Sequence, residues 1–236
     1  MILNGVDIEQ IEQRIANSTL TRVSLNIPES AYIVGMVGRI SEQKAPDVFV
    51  KAARKIKDAI PEAFFIIVGD GPDQTEIEKM MSDLNLKESF LITGWAKLTI
   101  EYLALFDVAV LCSRWEAFGF ALAECMAAKK PIVCTNADAM TELVTNFENG
   151  YVVNIDDIDS LASSVVNLAK ENSLQESFVQ NAYKKAVEKF NLKCESEEFS
   201  RLVIQYKSII LGANANIFWI SAFPLLTICY IVPRIE

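Results

Sequence analysis

Six short apolar runs, spaced through most of the chain, restrict the possible folds more than any other feature. They are YIVGMVG (32–38), AFFIIVG (63–69), SFLITG (89–94), VAVLCS (108–113), PIVCT (131–135) and GYVV (150–153). None shows the polar/apolar alternation of a strand with one wet face. Near-continuous β-branched runs of this length belong to strands buried on both sides, which is the condition of a parallel sheet covered by helices. The intervals carry the complementary pattern. Residues 46–60 place Val48, Phe49, Ala52, Ala53, Ile56 and Ile60 on one helical face. Shorter helical stretches follow near 74–84, 100–106 and 120–128. Beyond residue 158 the pattern turns wholly helical, over 158–170, 174–190 and 195–211. The expected fold is α/β, a Rossmann-like doubly wound parallel sheet of about six strands with a helical C-terminal tail. Residues 1–25 read as a lead-in, 26–211 as the domain and 212–236 as an uncharged hydrophobic tail.

Composition removes several function classes. The 236 residues contain no histidine, so His-based triads, Cys–His pairs and His-containing metal sites are excluded within the chain. A formal net charge of -9 argues against general nucleic-acid binding, which needs a basic face for phosphates. Five widely spaced cysteines without a CxxC fit free thiols in a reducing, cytoplasmic compartment.

Open parallel sheets bind ligands beyond the carboxyl ends of their strands. The first run leads into GRISEQK (38–44), where Gly38 is followed by Arg39 and, five positions on, by Lys44. A guanidinium fork and an ammonium in one such loop can converge on a diphosphate, aided by the next helix N-terminus. Two solvated surface cations are the plainer alternative. The second run leads into GDGPDQ, which lacks the third glycine of a dinucleotide fingerprint, and GMVGR fails the same pattern.

The fourth run leads into EAFGFALAE (116–124). A rise of ~1.5 Å per residue puts its two glutamates ~10 Å apart along a helix, too far to share a proton. That is about the span of a sugar, a diphosphate and a ribose. Phe118, Gly119 and Phe120 fall where the first free N–H groups of a helix point into the crevice. Helix-dipole complementation is the plain reading of both glutamates; it suits Glu116 better than Glu124, which is flanked by Ala123, Cys125 and Met126. Asp-x-Asp within DDID (156–159) is explained by capping of the helix that follows.

NGVD (4–7), GRISEQK, GDGP (69–72), the glycine of ITGW (92–95), SRWEAFGFALAE (113–124), KPIVCT (130–135) and ENGYVV (148–153) stand in the order and spacing of one family. Over residues 2 to 211 the chain resembles the C-terminal, donor-binding domain of retaining glycosyltransferases of the GT-B fold, family four. The resemblance implies that Arg39 and Lys44 neutralise the departing nucleoside diphosphate, in place of a divalent metal. It implies that Glu116 meets the donor sugar and that amides at Phe118, Gly119 and Phe120 bind sugar hydroxyls or phosphate. Glu124 would accept the ribose hydroxyls, and the base would lie by the loop after Gly94, near Trp95 and Lys97. No cofactor or metal is implied beyond the nucleotide-sugar donor itself, with a glycan or lipid-linked acceptor as the second substrate.

The chain departs from the family where glycine is usual: Ala45 after the loop lysine, Lys129, and ADAMTELV in place of Gly-Gly-x-x-Glu, keeping Glu142. Cys112 replaces the usual Pro. The chain also starts at the family's interdomain hinge, so a separate N-terminal acceptor domain is an expected partner, and the isolated chain is expected to be inactive or a nucleotide-sugar-binding module without it. A nicotinamide oxidoreductase is disfavoured by the failed glycine fingerprints. Residues 208–233 carry no charge, and the strongest apolar run within them is 217–232. A membrane anchor, packing on a missing domain and an out-of-frame extension all fit that tail, and contact with the inner face of the membrane follows only from the first.

Overall fold

The computed structural model describes residues 5–97 and 99–192. Six parallel strands form one sheet: β1 (Tyr32–Val37), β2 (Ala63–Val68), β3 (Phe90–Ile92), β4 (Val108–Leu111), β5 (Ile132–Thr135) and β6 (Tyr151–Val153). Their order is β3-β2-β1-β4-β5-β6, the doubly wound arrangement in which the chain reverses direction across the sheet between β1 and β4. The parallel register runs without a slip from Tyr32 opposite Ala63 to Val37 opposite Val68. The expected α/β class and strand number therefore stand.

The helices are α1 (Ile8–Ala16), α2 (Pro46–Ala59), α3 (Gln74–Asp83), α4 (Thr99–Leu105), α5 (Phe120–Ala127), α6 (Met140–Leu143), α7 (Ile158–Lys170) and α8 (Asn172–Lys189). Two apolar cores divide them. Ile33 and Val37 of β1 face α1, α4, α5 and α8, through Ile11, Leu103, Leu122 and Ala186. Val34 and Met36 face α2, α3 and α7, through Phe49, Ile56, Ile77 and Val165. Alternate residues of one strand thus enter opposite cores, as the continuous apolar runs require.

β3 and β4 are shorter than their apolar runs. Cys112 and Ser113 leave the sheet although buried, and Thr93 and Gly94 continue β3 only as irregular pairing, with Gly94 bridged to Gly69. The segment read as a lead-in holds α1, whose Asp7 accepts the Gln10 amide at 2.9 Å and whose Ile8 and Ile11 are buried. Backbone bonds of 2.7 Å (Val6 N to Phe190 O) and 3.2 Å (Leu192 N to Val6 O) tie its start to the end of α8. The helix expected over 195–211 and the tail of 212–236 lie outside the described residues. Among those described, no helix is long and apolar enough to cross a membrane.

Candidate functional site

The loops after β1 and β4 meet at the carboxyl edge, where the sheet order reverses. The first loop contains a single 3-10 turn, Glu42–Lys44, closed by Ala45 in left-handed backbone at φ 50°. Pro46 then opens α2, which suits the fixed φ of proline at a helix start. Lys44 runs back across the loop: its Cγ and Cδ lie 3.3 Å from where a Cβ on Gly38 would stand, and Gly38 itself is at φ 153°. The Lys44 ammonium ends in a hydrogen-bonded ion pair with Glu116 Oε2, both side chains being largely covered. Ser113 Oγ donates to the same oxygen at 3.2 Å. Asp138 Oδ2 accepts the Glu116 amide at 3.3 Å. Lys44, Gly38 and Glu116 therefore lie beside one another at this edge.

Arg39 is exposed one residue after Gly38. Behind it, Ile40 bonds through its amide to Asp70 O at 2.7 Å and through its carbonyl to Asp73 N at 3.3 Å, so the β1 and β2 loops are joined. Gly119 is at φ 89° and begins α5, with Glu116 Cγ 3.6 Å from its absent Cβ. Among the described residues, the amides of Phe118, Gly119 and Phe120 have no acceptor, while the Gly119 carbonyl takes Leu122 N at 2.9 Å. Free donors at the start of a helix form an anion- and hydroxyl-binding surface.

The two phenylalanines differ. Phe118 is buried against Phe190, with ring centroids 6.0 Å apart, whereas Phe120 is 53% exposed. Trp95, 74% exposed, stands beyond β3 next to Gly94 at φ 70°.

Glu124 lies one turn into α5 between fully buried neighbours. Burial raises its carboxyl above the ordinary range, and the opposing influence is the positive charge of Arg14 in α1. It has no bond to Lys44 or Glu116, so the structure brings Gly38, Lys44, Glu116 and Gly119 together and sets Glu124 farther along the same helix.

Sequence reading gave no role to Arg114, which joins three loops at this edge. Arg114 donates from Nε to Asp156 Oδ1 at 2.9 Å, from one terminal nitrogen to Glu42 O at 3.0 Å and from the other to both Asp47 oxygens at 3.0 and 3.1 Å. Its amide donates to Gln43 O at 2.8 Å. Desolvation pushes the Asp47 carboxyl up, but bonds from Arg114 and Lys51 outweigh it and hold the group below its ordinary value. Asp156 is thereby engaged, and Asp157 accepts Ser160 N at 2.9 Å as the N-cap of α7, so the capping reading of DDID stands.

Three glycine departures also gain an explanation, since Ala45, Lys129 and Asp138 all have positive φ, at 50°, 56° and 35°. Lys129 uses its side chain to bond Glu12 at 2.9 Å and to cover the Tyr183 ring at 4.4 Å, fastening α1 to the α5 and α8 side.

The family model for glycosyl transferases group 1 matches residues 17–185. The chain belongs to that family. Among curated relatives of the group, the UDP-Gal:alpha-D-GlcNAc-diphosphoundecaprenol alpha-1,3-galactosyltransferase of Escherichia coli is 31% identical over 207 residues, 86% of this chain and 53% of that protein. The chain spans about half the length of the curated relatives it matches. The crystal structure of the C-terminal domain of a group 1 glycosyl transferase (LpcC) from Francisella tularensis is 25% identical, with a TM-score of 0.70 over 79% of this chain and 99% of that one. Anabaena HepE, solved with UDP and glucose, shares the fold at a TM-score of 0.76 and 23% identity, covering 86% of this chain and 55% of its own. This group 1 chain corresponds to the C-terminal Rossmann-like half of the GT-B fold.

Proposed function

We propose that the chain is the donor-binding half of a metal-independent, retaining glycosyltransferase that takes a nucleoside-diphosphate sugar. The observation that carries this reading is the Lys44–Glu116 pair folded across Gly38 at the reversal point of the sheet. Cleavage of a sugar–diphosphate bond builds negative charge on the departing phosphate, and cations already in place lower that barrier. Lys44 supplies such a charge and the exposed Arg39 the second. When the diphosphate takes the Lys44 ammonium, Glu116 keeps the Ser113 hydroxyl as donor and turns its free oxygen to the sugar. The unpaired amides of Phe118, Gly119 and Phe120 meet the sugar hydroxyls or phosphate, Glu124 the ribose hydroxyls, and Trp95 flanks the base. No divalent metal is needed, because the two cations serve in its place. Relatives that bind UDP or act on a diphosphoundecaprenol-linked sugar favour UDP as nucleotide and a lipid-linked or other glycan as acceptor. The acceptor is taken up by an N-terminal domain, so the chain without one binds donor and does not turn over.

Calorimetry of the 236-residue chain with UDP and with GDP tests this. Bonds to charged groups contribute ~1.5–3 kcal/mol each, so Lys44→Ala or Arg39→Ala is expected to weaken binding by roughly 10- to 100-fold. Absence of binding to either nucleotide at millimolar concentration would overturn the reading for this chain. Restored sugar transfer on co-expression with an N-terminal partner would exclude a catalytically inert module.

A further inference from the structure

We infer that Arg114 is a positioning residue for the donor site, fixing Lys44 opposite Glu116 by gripping the loop on both sides of the lysine. The inference rests on the donor-site reading above and adds to it a residue that touches neither donor nor acceptor.

The turn that carries Lys44 is short and closed locally by bonds from Lys44 N to Ser41 O at 3.0 Å and from Ala45 N to Ser41 O and Glu42 O at 3.2 Å each, which shape the turn but do not anchor it to the rest of the site. It spans three residues and closes through Ala45 in left-handed backbone, a conformation that disfavours any residue with a Cβ. Its outer fixation comes from across the crevice. Glu42 and Gln43, the two residues before Lys44, give their carbonyls to the Arg114 side chain at 3.0 Å and to the Arg114 amide at 2.8 Å. Asp47, three residues after Lys44, receives the paired bonds of 3.0 and 3.1 Å. Gln43 Nε2 returns a bond to Trp115 O at 3.2 Å. Arg114 stands two residues before Glu116, so one residue defines where both partners of the ion pair begin. Its third nitrogen, Nε, holds Asp156 in the loop after β6 at 2.9 Å, which ties a third loop to the same point. A planar fork holds its donors in fixed directions and spans a carbonyl and two carboxylates; the compact ammonium of lysine, on a flexible stem, does not preorganise that reach.

Arg114 and Asp47 are partly exposed, and such pairs often add little to stability. A bridge of purely structural value would lower the melting temperature and affect nucleotide binding equally with or without Lys44. A positioning residue acts through Lys44, and its effect disappears when Lys44 is removed. The test is a double-mutant cycle on the full 236-residue chain, read by calorimetry with whichever of UDP and GDP binds. Arg114→Ala alone should weaken binding about tenfold, the loss of a charge-assisted contact at the diphosphate. In the Lys44→Ala background the same change should add less than about twofold, the measure of coupling between neighbouring sites. Arg114→Lys should recover less than half of the loss, in logarithmic terms.

Equal losses in both backgrounds, or unchanged affinity for Arg114→Ala, would overturn the inference while leaving the donor site standing, provided Lys44→Ala itself weakens binding. If Lys44→Ala has no effect, the donor-site reading fails and this inference with it. Should circular dichroism show Arg114→Ala to be unfolded, the cycle is run with Asp47→Asn and Arg114→Lys, for which the same non-additivity is required.

Discussion

Replacing Gly71 by alanine isolates the contact that joins the first two loops of the site. A Cβ there would stand 2.1 Å from Ile40 O, 2.7 Å from Ile40 C and 2.8 Å from Ile40 N, all backbone atoms with no rotamer to change. Relief requires the β1 loop to move, which strains or breaks the bonds of Ile40 to Asp70 O (2.7 Å) and to Asp73 N (3.3 Å). Overpacking costs ~1–3 kcal/mol and each lost bond ~1 kcal/mol, and because the two act by the same displacement the sum is about 3 kcal/mol. For a domain of this size that corresponds to a fall in melting temperature of roughly 6–12 °C. Gly94→Ala is the internal control. Nothing lies within 4 Å of a Cβ there, but φ is 70°, so the cost is conformational, about 1 kcal/mol and roughly 2–4 °C. Differential scanning fluorimetry on both variants, with urea unfolding to give the free energies, measures the difference. Because Ile40 follows Arg39, Gly71→Ala should also weaken UDP binding. A Gly71→Ala shift no larger than that of Gly94→Ala would refute the claim that loop–loop contact, rather than backbone torsion, fixes this position.

Glu124→Gln should raise the melting temperature at pH 7. Burial lifts the folded carboxyl above its ordinary 4.5, so the folded state resists the charge; the gain is present above the folded value and vanishes below pH 4.5, as melts at pH 7 and 4 would show. Asp47 has the opposite sign. Its folded value lies below the ordinary 3.8, so its stabilisation is complete above pH 3.8 and is lost as pH falls through the folded value. Asp47→Asn should accordingly destabilise by up to ~1 kcal/mol in urea titrations at pH 7, with the difference closing toward pH 2. Burial pushes the Cys112 and Cys134 thiols up to about 12 and raises Cys125 as well. In a chain carrying Cys194→Ser and Cys229→Ser, a disulfide reagent at pH 8 should leave these three unmodified until denaturant is added; labelling of the native chain within minutes would contradict their burial.

The sheet was legible because a strand buried on both faces has no polar positions, and Ile33, Val34 and Met36 show how one run fills two cores. That Lys44 and Glu116 each follow a buried strand, β1 and β4, was legible for the same reason, since strand ends locate the crevice. Helix α1 was available too: Ile8, Ile11 and Ile15 carry the i, i+3, i+7 spacing, but their surroundings are polar enough to pass for a lead-in. Arg114 was not legible. Its carboxylate partners stand 67 and 42 residues away, and only the fold brings loops after three different strands to one point. Asp138 was hidden differently: the expected glycine fixes attention on residue identity, whereas what persists there is a backbone at φ 35° and a carboxylate turned to the Glu116 amide.

The central place of β1 and β4 has a consequence for exchange with solvent deuterium. β1 is bonded on both sides, to β2 and to β4, whereas β3 and β6 are the outer strands. Amides of the inner strands open only with the whole domain, so their exchange reports global stability, while loop amides report local opening. The site loops spring from β1 and β4, inner strands expected to exchange slowly. A bound nucleotide should therefore slow residues 38–44 and 113–120 by direct protection. It should slow β1 only by the amount RT ln(1 + [L]/Kd) that binding adds to the folded state, so one experiment measures both the footprint and the affinity.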